Sequence, residues 1–356
     1  MRVAVILVHY RTPELAAAAV AALRADAAQS GLEIEGILVD NGSDEAGRAL
    51  LEALPFERID PQANLGFAGG VNLGVGRSRA ERIVVMNPDV RVLPGCLGAL
   101  LDALSAGAAV AGPRFYWDDA RRMLLPPAEE RSRAAEILSL LATRGERWAA
   151  RARRRWRRHA RRHWQAVQPL ASYALSGSLL AFSRAAWERI GPFDEGYRLY
   201  FEETDWLRRA ARLGLPARYV PAAAAVHLHA RSAVQEPRSG GWFEESARRF
   251  RERHYGRWFN ALLEGLAGRP PRRSPARSAV CAQVDLSGLS FPLWIEVSPN
   301  PTGFPAAAER LVAPPEAPWR LPPEVAERLA GAELTLQVAD SAGRELARRV
   351  LAERLL

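Results

Sequence analysis

The chain has 356 residues, 48% hydrophobic and 25% charged, with two cysteines and a net charge of +9. This length buries a full core, and the balance of apolar and charged residues excludes a chain disordered over most of its length. Cys96 and Cys281 stand too far apart to suggest a disulfide framework or metal-ligand spacing, and no segment reaches the ~20 apolar residues that span a bilayer.

Val3–Val8 reads as a first strand. It is too short for a signal-peptide core, and Tyr10-Arg11 closes it without a small-residue cleavage site, so the chain is expected to stay in the cytosol. Further apolar runs at Ile34–Asp40, Ile83–Asn87 and Ala108–Gly112 alternate with helical patterns at Pro13–Ala28, Asp44–Leu54, Ala68–Arg77 and Pro94–Leu104. Strands that are apolar throughout, interleaved with helices, predict an α/β fold with a mostly parallel sheet covered on both faces. Ligands of such sheets bind beyond the carboxyl ends of the strands. Polar clusters fall there: Tyr10-Arg11, Asp40-Asn41-Gly42-Ser43 and Asn87-Pro88-Asp89.

The alternation stops between Arg144 and Trp164. Ten arginines and one acid, Glu146, stand in this stretch, so the whole net charge resides there. Trp148, Ala152, Trp156, Ala160 and Trp164 recur at four-residue spacing, which puts them on one stripe of a helix. Tryptophan favours the headgroup boundary and each arginine near an anionic leaflet contributes roughly 1 kcal/mol, so the stretch is expected to lie on an anionic membrane surface. A solvated helix that packs its tryptophans on the catalytic domain is the other reading. Beyond it, Tyr173–Ser183 reads as a strand, Phe201–Leu213 as a helix, Ala217–Val220 as a short strand, and Trp242–Leu266 as one long helix. The predicted domains are 1–267, a linker over 268–276, and a small β-rich accessory domain over 277–356.

Several clusters could carry chemistry. Asp40 can accept hydrogen bonds from a base or ribose, although Ser43 or Asp44 would also cap the next helix. Asn64-Leu-Gly66-Phe-Ala-Gly69-Gly-Val-Asn72 is a Gly-rich turn opening a helix, where backbone can approach a phosphate. Its glycine spacing is not that of a dinucleotide site. Asp89 at a strand end can hold a hard divalent cation. Glu202, Glu203 and Asp205 stand in the first turn of a helix, where the dipole favours acids in any case, and one of them could take a proton in a cleft. His227 can join a carboxylate on a metal.

In this order, these segments resemble glycosyltransferase family 2, especially its rhamnosyltransferase-like members. The likeness runs from about Val3 to Tyr255, and its most specific part extends from Ser176 through Gly191-Pro-Phe-Asp194 to Phe201-Glu-Glu-Thr-Asp205. The resemblance implies a GT-A type fold, a nucleotide-diphosphate sugar donor, a divalent cation (Mg²⁺ or Mn²⁺), inversion at the anomeric carbon, and a saccharide or lipid-linked acceptor. It implies that Asp40 contacts the nucleoside, and it places Tyr10, Asn64, Gly66, Gly69, Asn72, Asn87 and Asp89 along the donor. By the same resemblance Asp89 and His227 hold the metal, and Glu203 is the general base, with Glu202 and Asp205 beside it. Two positions depart from the family pattern: Asn87 replaces the first aspartate of the Asp-x-Asp motif, and Glu203 is one methylene longer than the usual aspartate. Two rival readings stay open at this point, an inactive sugar-nucleotide sensor and a nucleic-acid binder using the arginines, although no nucleic-acid reader motif is visible.

Overall fold

Seven consecutive buried residues, Val3 to His9, make β1 (Arg2–His9) a strand that belongs inside a sheet covered on both faces. It pairs in parallel with β2 (Glu33–Asp40) and β4 (Arg82–Met86), and β2 pairs in parallel with β3 (Glu57–Ile59). The crossovers run through α1 (Pro13–Gln29), α2 (Glu45–Glu52) and α3 (Gly66–Arg77). Antiparallel strands extend the sheet beyond β4, beginning with β8 (Leu179–Ser183). Next come β6 (Val110–Tyr116), β9 (Ala217–His227) and, at the edge, β5 (Val90–Val92), while β7 (Leu170–Ala171) also pairs with β9. Helices α4 (Cys96–Ser105), α7 (Arg184–Ile190) and α8 (Glu202–Arg212) complete this α/β arrangement.

This computed structural model describes residues 1–228, 239–267, 283–329 and 333–351. The linker expected at 268–276, the first residues of the expected accessory domain, and the histidine segment beyond Leu228 lie outside them. Among the described residues no helix is long and apolar enough to cross a membrane.

Three elements differ from the sequence reading. The strand expected over Ala217–Val220 continues to His227 through a run of alanines, whose weak strand propensity hides it. Its partner β5 is only three residues long and was not expected. The single helix expected over Trp242–Leu266 is two, α9 (Ser239–Tyr255) and α10 (Arg257–Ala267), separated at Gly256, whose φ of +94° a helix cannot contain.

The chain divides into two units, Met1–Arg114 with Ala166–Ala261, and Phe115–Gln165 with Leu262–Leu356. Residues 115–165, expected inside a catalytic domain over 1–267, thus group with the C-terminal strands. The second unit holds an antiparallel sheet in the order β11 (Ala307–Leu311), β10 (Leu293–Ser298), β12 (Leu334–Asp340) and β13 (Glu345–Leu351). It also holds α5 (Arg133–Ala142), α6 (Glu146–Trp164) and α11 (Pro323–Arg328).

The stripe on α6 corrects the expectation drawn from it. Ala152, Trp156, Ala160 and Trp164 are buried, and of the five only Trp148 is exposed. Trp164 stacks on Trp294 of β10 with ring centroids 5.3 Å apart, and its Nε1 donates to the Leu125 carbonyl at 2.8 Å. Three arginines, Arg153, Arg157 and Arg161, go in with the tryptophans. Arg157 Nε donates to both oxygens of Glu296, at 2.9 and 2.7 Å, and Arg153 Nε reaches Glu345 at 3.2 Å. The stripe is therefore the seam between α6 and its own sheet and does not face a headgroup boundary. Apart from Glu146 on the same helix, the carboxylates that make burial of these arginines tolerable come from distant strands, which the local pattern cannot reveal.

Candidate active site

The register of β1 and β2 places His9 opposite Asp40 at the carboxyl end of the sheet. The Thr12 backbone N–H donates to His9 Nε2 at 2.8 Å, so the ring proton is on Nδ1, which lies 3.4 Å from Asp40 Oδ1. Burial holds this imidazole below its ordinary pKa, outweighing the pull of Asp40. Asp40 itself is buried. Its Oδ1 accepts from the Ser43 hydroxyl (2.8 Å) and from the Ser43 and Gly42 amides (3.0 and 3.2 Å), and its Oδ2 accepts from Arg58 (3.1 Å). Burial alone would raise the Asp40 pKa, but the Ser43 and Gly42 hydrogen bonds and His9 bring it below the usual carboxylate value. Asp40, expected to reach a nucleoside, thus spends both oxygens inside the protein and fixes the turn. Asp44, and not Ser43, caps α2 by accepting from the Gly47 amide at 2.8 Å. Half-buried Tyr10 lies beside this turn, with its Cε2 3.9 Å from where a Cβ on Gly42 would stand.

Asn41, which the sequence reading did not single out, joins this turn to the Gly-rich segment. Its Oδ1 accepts from the Leu65 amide at 3.2 Å and its Nδ2 donates to the Gly66 carbonyl at 3.1 Å. Asn64 is exposed and folds the same turn by accepting from the Gly66 amide at 2.8 Å. Gly66 has φ +70°, and a Cβ there would stand 2.8 Å from the Arg198 carbonyl oxygen, so only glycine fits. The other glycines serve packing. A Cβ on Gly69 would meet the Leu65 side chain at 2.9 Å, and one on Gly70 or Gly74 would strike Val8 or Ile6 of β1 at 2.6 or 2.3 Å. Asn72, expected along the donor, is also structural. Its amide donates to the Phe193 carbonyl (3.0 Å) and accepts from the Phe193 amide (2.9 Å), tying α3 to the Gly191–Asp194 turn.

The metal-motif residues are brought together by the unexpected strand pair. Val90 of β5 stands opposite His227 of β9, and the Leu228 amide donates to the Asp89 carbonyl at 2.9 Å. Asp89 Oδ1 and His227 Nε2 are consequently 3.5 Å apart, both buried. Asn87 is half-buried at the end of β4, and its backbone N–H donates to the Ser178 carbonyl at 2.9 Å. Next to Ser178, Gly177 leaves room for Glu203, since a Cβ on that glycine would lie 3.0 Å from Glu203 Cβ and Cγ. The segments at 87–89, 176–178, 202–203 and 227 therefore converge.

Tyr200 and Phe201 enter α8 with φ +67° and +69°, an unusual pair for non-glycine residues and a place where strain is held. Burial raises the Tyr200 phenol, followed by the charges of Glu202 and Asp89. The strain has no signature in the sequence. Glu202 is buried, and its Oε2 has no hydrogen-bond partner among the described residues. Burial, and then the charge of Glu203, push its carboxyl well above the usual range. Glu203 remains partly exposed, and Thr204 Oγ1 donates to its Oε1 at 3.3 Å. Asp205 is different. It is fully buried, close to His254 Nε2 (2.7 Å), Arg209 Nε (2.9 Å) and Arg253 Nε (3.2 Å). These partners overcome the burial that would raise its pKa and hold it below the ordinary value, so Asp205 anchors α8 to α9 and is not placed to take a substrate proton.

A sequence profile of Glycosyl transferase family 2 matches residues 4–187. The chain is 31% identical over 261 residues to an N-acetylglucosaminyl-diphospho-decaprenol L-rhamnosyltransferase of Mycobacterium tuberculosis, covering 67% of this chain and 81% of that one. It is 35% identical over 96 residues to succinoglycan biosynthesis protein ExoO of Rhizobium meliloti, covering 26% of this chain and 28% of that one. Among solved structures, mannosyltransferase PcManGT from Pyrobaculum calidifontis in complex with GDP-Man and Mn²⁺ aligns with a TM-score of 0.46 and 16% identity, covering 75% of this chain and 69% of that one.

Proposed function

The chain belongs to glycosyl transferase family 2 and has a GT-A type fold, and from that premise we propose an inverting, metal-assisted transfer of a hexose from a nucleotide-diphosphate donor to a hydroxyl of a saccharide or lipid-linked acceptor. That it is a glycosyltransferase follows from the family. Rhamnose as the sugar, and a lipid-diphosphate saccharide as the acceptor, are supported by the name of the mycobacterial relative.

The observation that carries the reading is the convergence of Glu203, Asp89 and His227 from segments far apart in the chain. Glu203 is the base, because it is the carboxylate of α8's first turn that is partly exposed. Beside it, burial and the charge of Glu203 push the Glu202 carboxyl well above the usual range, so of the two it is the less ready to ionise. An acceptor hydroxyl gives its proton to Glu203 as its oxygen attacks the anomeric carbon.

Asp89 and His227 suit a divalent cation: one hard oxygen and one imidazole, side by side. No cluster of three or more metal-binding side chains exists among the described residues, so the diphosphate oxygens of the donor would supply the remaining ligands. When bound, the cation supplies charge stabilisation for the departing diphosphate. The turns at 40–43 and 64–66, cross-linked by Asn41, form the donor side together with Tyr10 and Asn64.

A thermal-shift panel of nucleoside diphosphates and their sugar conjugates, with and without Mg²⁺ or Mn²⁺, tests the reading. A sugar nucleotide should raise the melting temperature more with the cation than without it. If no nucleotide in the panel shifts the melting temperature, the donor assignment is wrong.

A further inference from the structure

With the tryptophan stripe turned onto the β-sheet, the opposite side of the α5–α6 hairpin is left outward, and it is not an ordinary solvated face. A groove of about 880 Å³ runs between the two helices. Ile137, Leu138 and Leu141 of α5 and the exposed Trp148 of α6 form its apolar lining. Arg147, Arg151, Arg154, Arg155 and Arg158 surround it, and none of these five makes an ion pair with a described residue. The nearby acids are engaged elsewhere: Glu146 with Arg153 and Arg348, and Glu136 with Arg131.

We propose that this groove is the docking surface for an anionic phospholipid membrane. Five unpaired guanidinium groups match lipid phosphates, and the aliphatic lining gives acyl methylenes and the arginine stems an apolar layer to lie along. A nucleic acid would meet the same charge but not the lining, because its bases stack on aromatic platforms and the lining offers a single tryptophan among aliphatic side chains. Accumulating unpaired cations on one face costs self-repulsion, which an anionic surface relieves. The lipid-linked acceptor proposed above gives this docking a purpose, but the docking is read by binding alone, so the two proposals can fail separately.

The test is co-sedimentation of the full chain with phosphatidylcholine vesicles, with or without a minority of phosphatidylglycerol, at about 0.15 M salt. The wild type should pellet with the anionic vesicles and not with the neutral ones. Each arginine contributes roughly a factor of five near an anionic leaflet, so Arg151→Glu/Arg155→Glu/Arg158→Glu should lower partitioning by about 100-fold or more. The corresponding triple lysine variant should stay within about threefold of wild type, because charge and stem are kept. Leu141→Ser/Trp148→Ser should weaken binding while leaving its salt dependence in place. The proposal is overturned if the wild type ignores anionic vesicles, if it binds neutral ones equally, or if the glutamate triple pellets like wild type. Tighter binding to a single-stranded oligonucleotide than to the vesicles at the same salt would also overturn it, and would assign the face to nucleic acid.

Discussion

Asp89 Oδ1 lies 3.5 Å from His227 Nε2 because Val90 and His227 are paired in register across β5 and β9. The strand pair sets the distance, so the two side chains are held as a unit before any ligand arrives. Asp89→Asn keeps the shape and removes the charge. Calorimetric donor affinity should fall roughly tenfold or more in that variant, and adding EDTA should then change nothing further. Wild type should drop to the same level with EDTA. Equal donor binding with and without chelator in the wild type would remove the metal role from both residues.

Asp205 is predicted to matter for stability and not for proton transfer. Its pKa is lowered in the folded protein, so its contribution is present above the unfolded value near 3.8 and is lost as pH falls through the lower folded value. Asp205→Asn leaves His254 and two arginines without their buried partner and should cost about 3–5 kcal/mol at neutral pH. Melts at neutral and acid pH should show this deficit shrinking as the wild type loses its own contribution. A variant as stable as wild type at neutral pH would refute the anchoring role.

Glu202 gives the opposite sign. Its pKa is raised on folding, so its stability contribution is present below the unfolded value near 4.5 and declines as pH rises towards the folded value. Glu202→Gln removes that decline. Over the range from pH 4.5 upwards the variant should gain stability relative to wild type, read from denaturant midpoints at a series of pH values. Parallel curves for the two proteins would mean that Glu202 is ionised and solvated in the folded state.

In the second unit, the buried pair of Arg157 and Glu296 should behave as a unit. Arg157→Met leaves the Glu296 carboxylate with only the more distant Arg161 and should cost about 3–5 kcal/mol in denaturant melts, whereas Arg157→Met with Glu296→Leu should recover part of that loss, less what Arg161 loses with its partner. Additive losses in the double variant would contradict the coupling.

The fold's parallel core was legible because β1, β4 and the second half of β2 carry unbroken apolar runs and the helices between them keep their period. The edge pairing was not. Strand β5 has three residues and β9 passes through four alanines, so neither carries a strand pattern, yet together they build the Asp89–His227 pair. At the site, residue type and order pointed to Glu203 and Asp89. They could not separate the half-exposed Glu203 from the ion-paired Asp205 two positions on, because that depends on which side of α8 meets α9. Asn72 looked like a ligand contact and proved to be a cross-link, since the turn it holds lies far along the chain at Phe193. For α6 the period was right and the side was not: a stripe of tryptophans looks alike whether it meets lipid or a sheet, and Trp294 decides which.

Proton transfer from the acceptor hydroxyl to Glu203, as proposed, is checked by single-turnover kinetics of Glu203→Gln with saturating donor. Glutamine fills the same space against Gly177 but accepts no proton, so the transfer rate should fall on the order of 10²-fold or more while calorimetric donor affinity changes by less than about threefold. Transfer at the wild-type rate would contradict the account. A loss of donor affinity as large as the loss of rate would contradict it too, placing Glu203 in donor binding instead of in the chemical step.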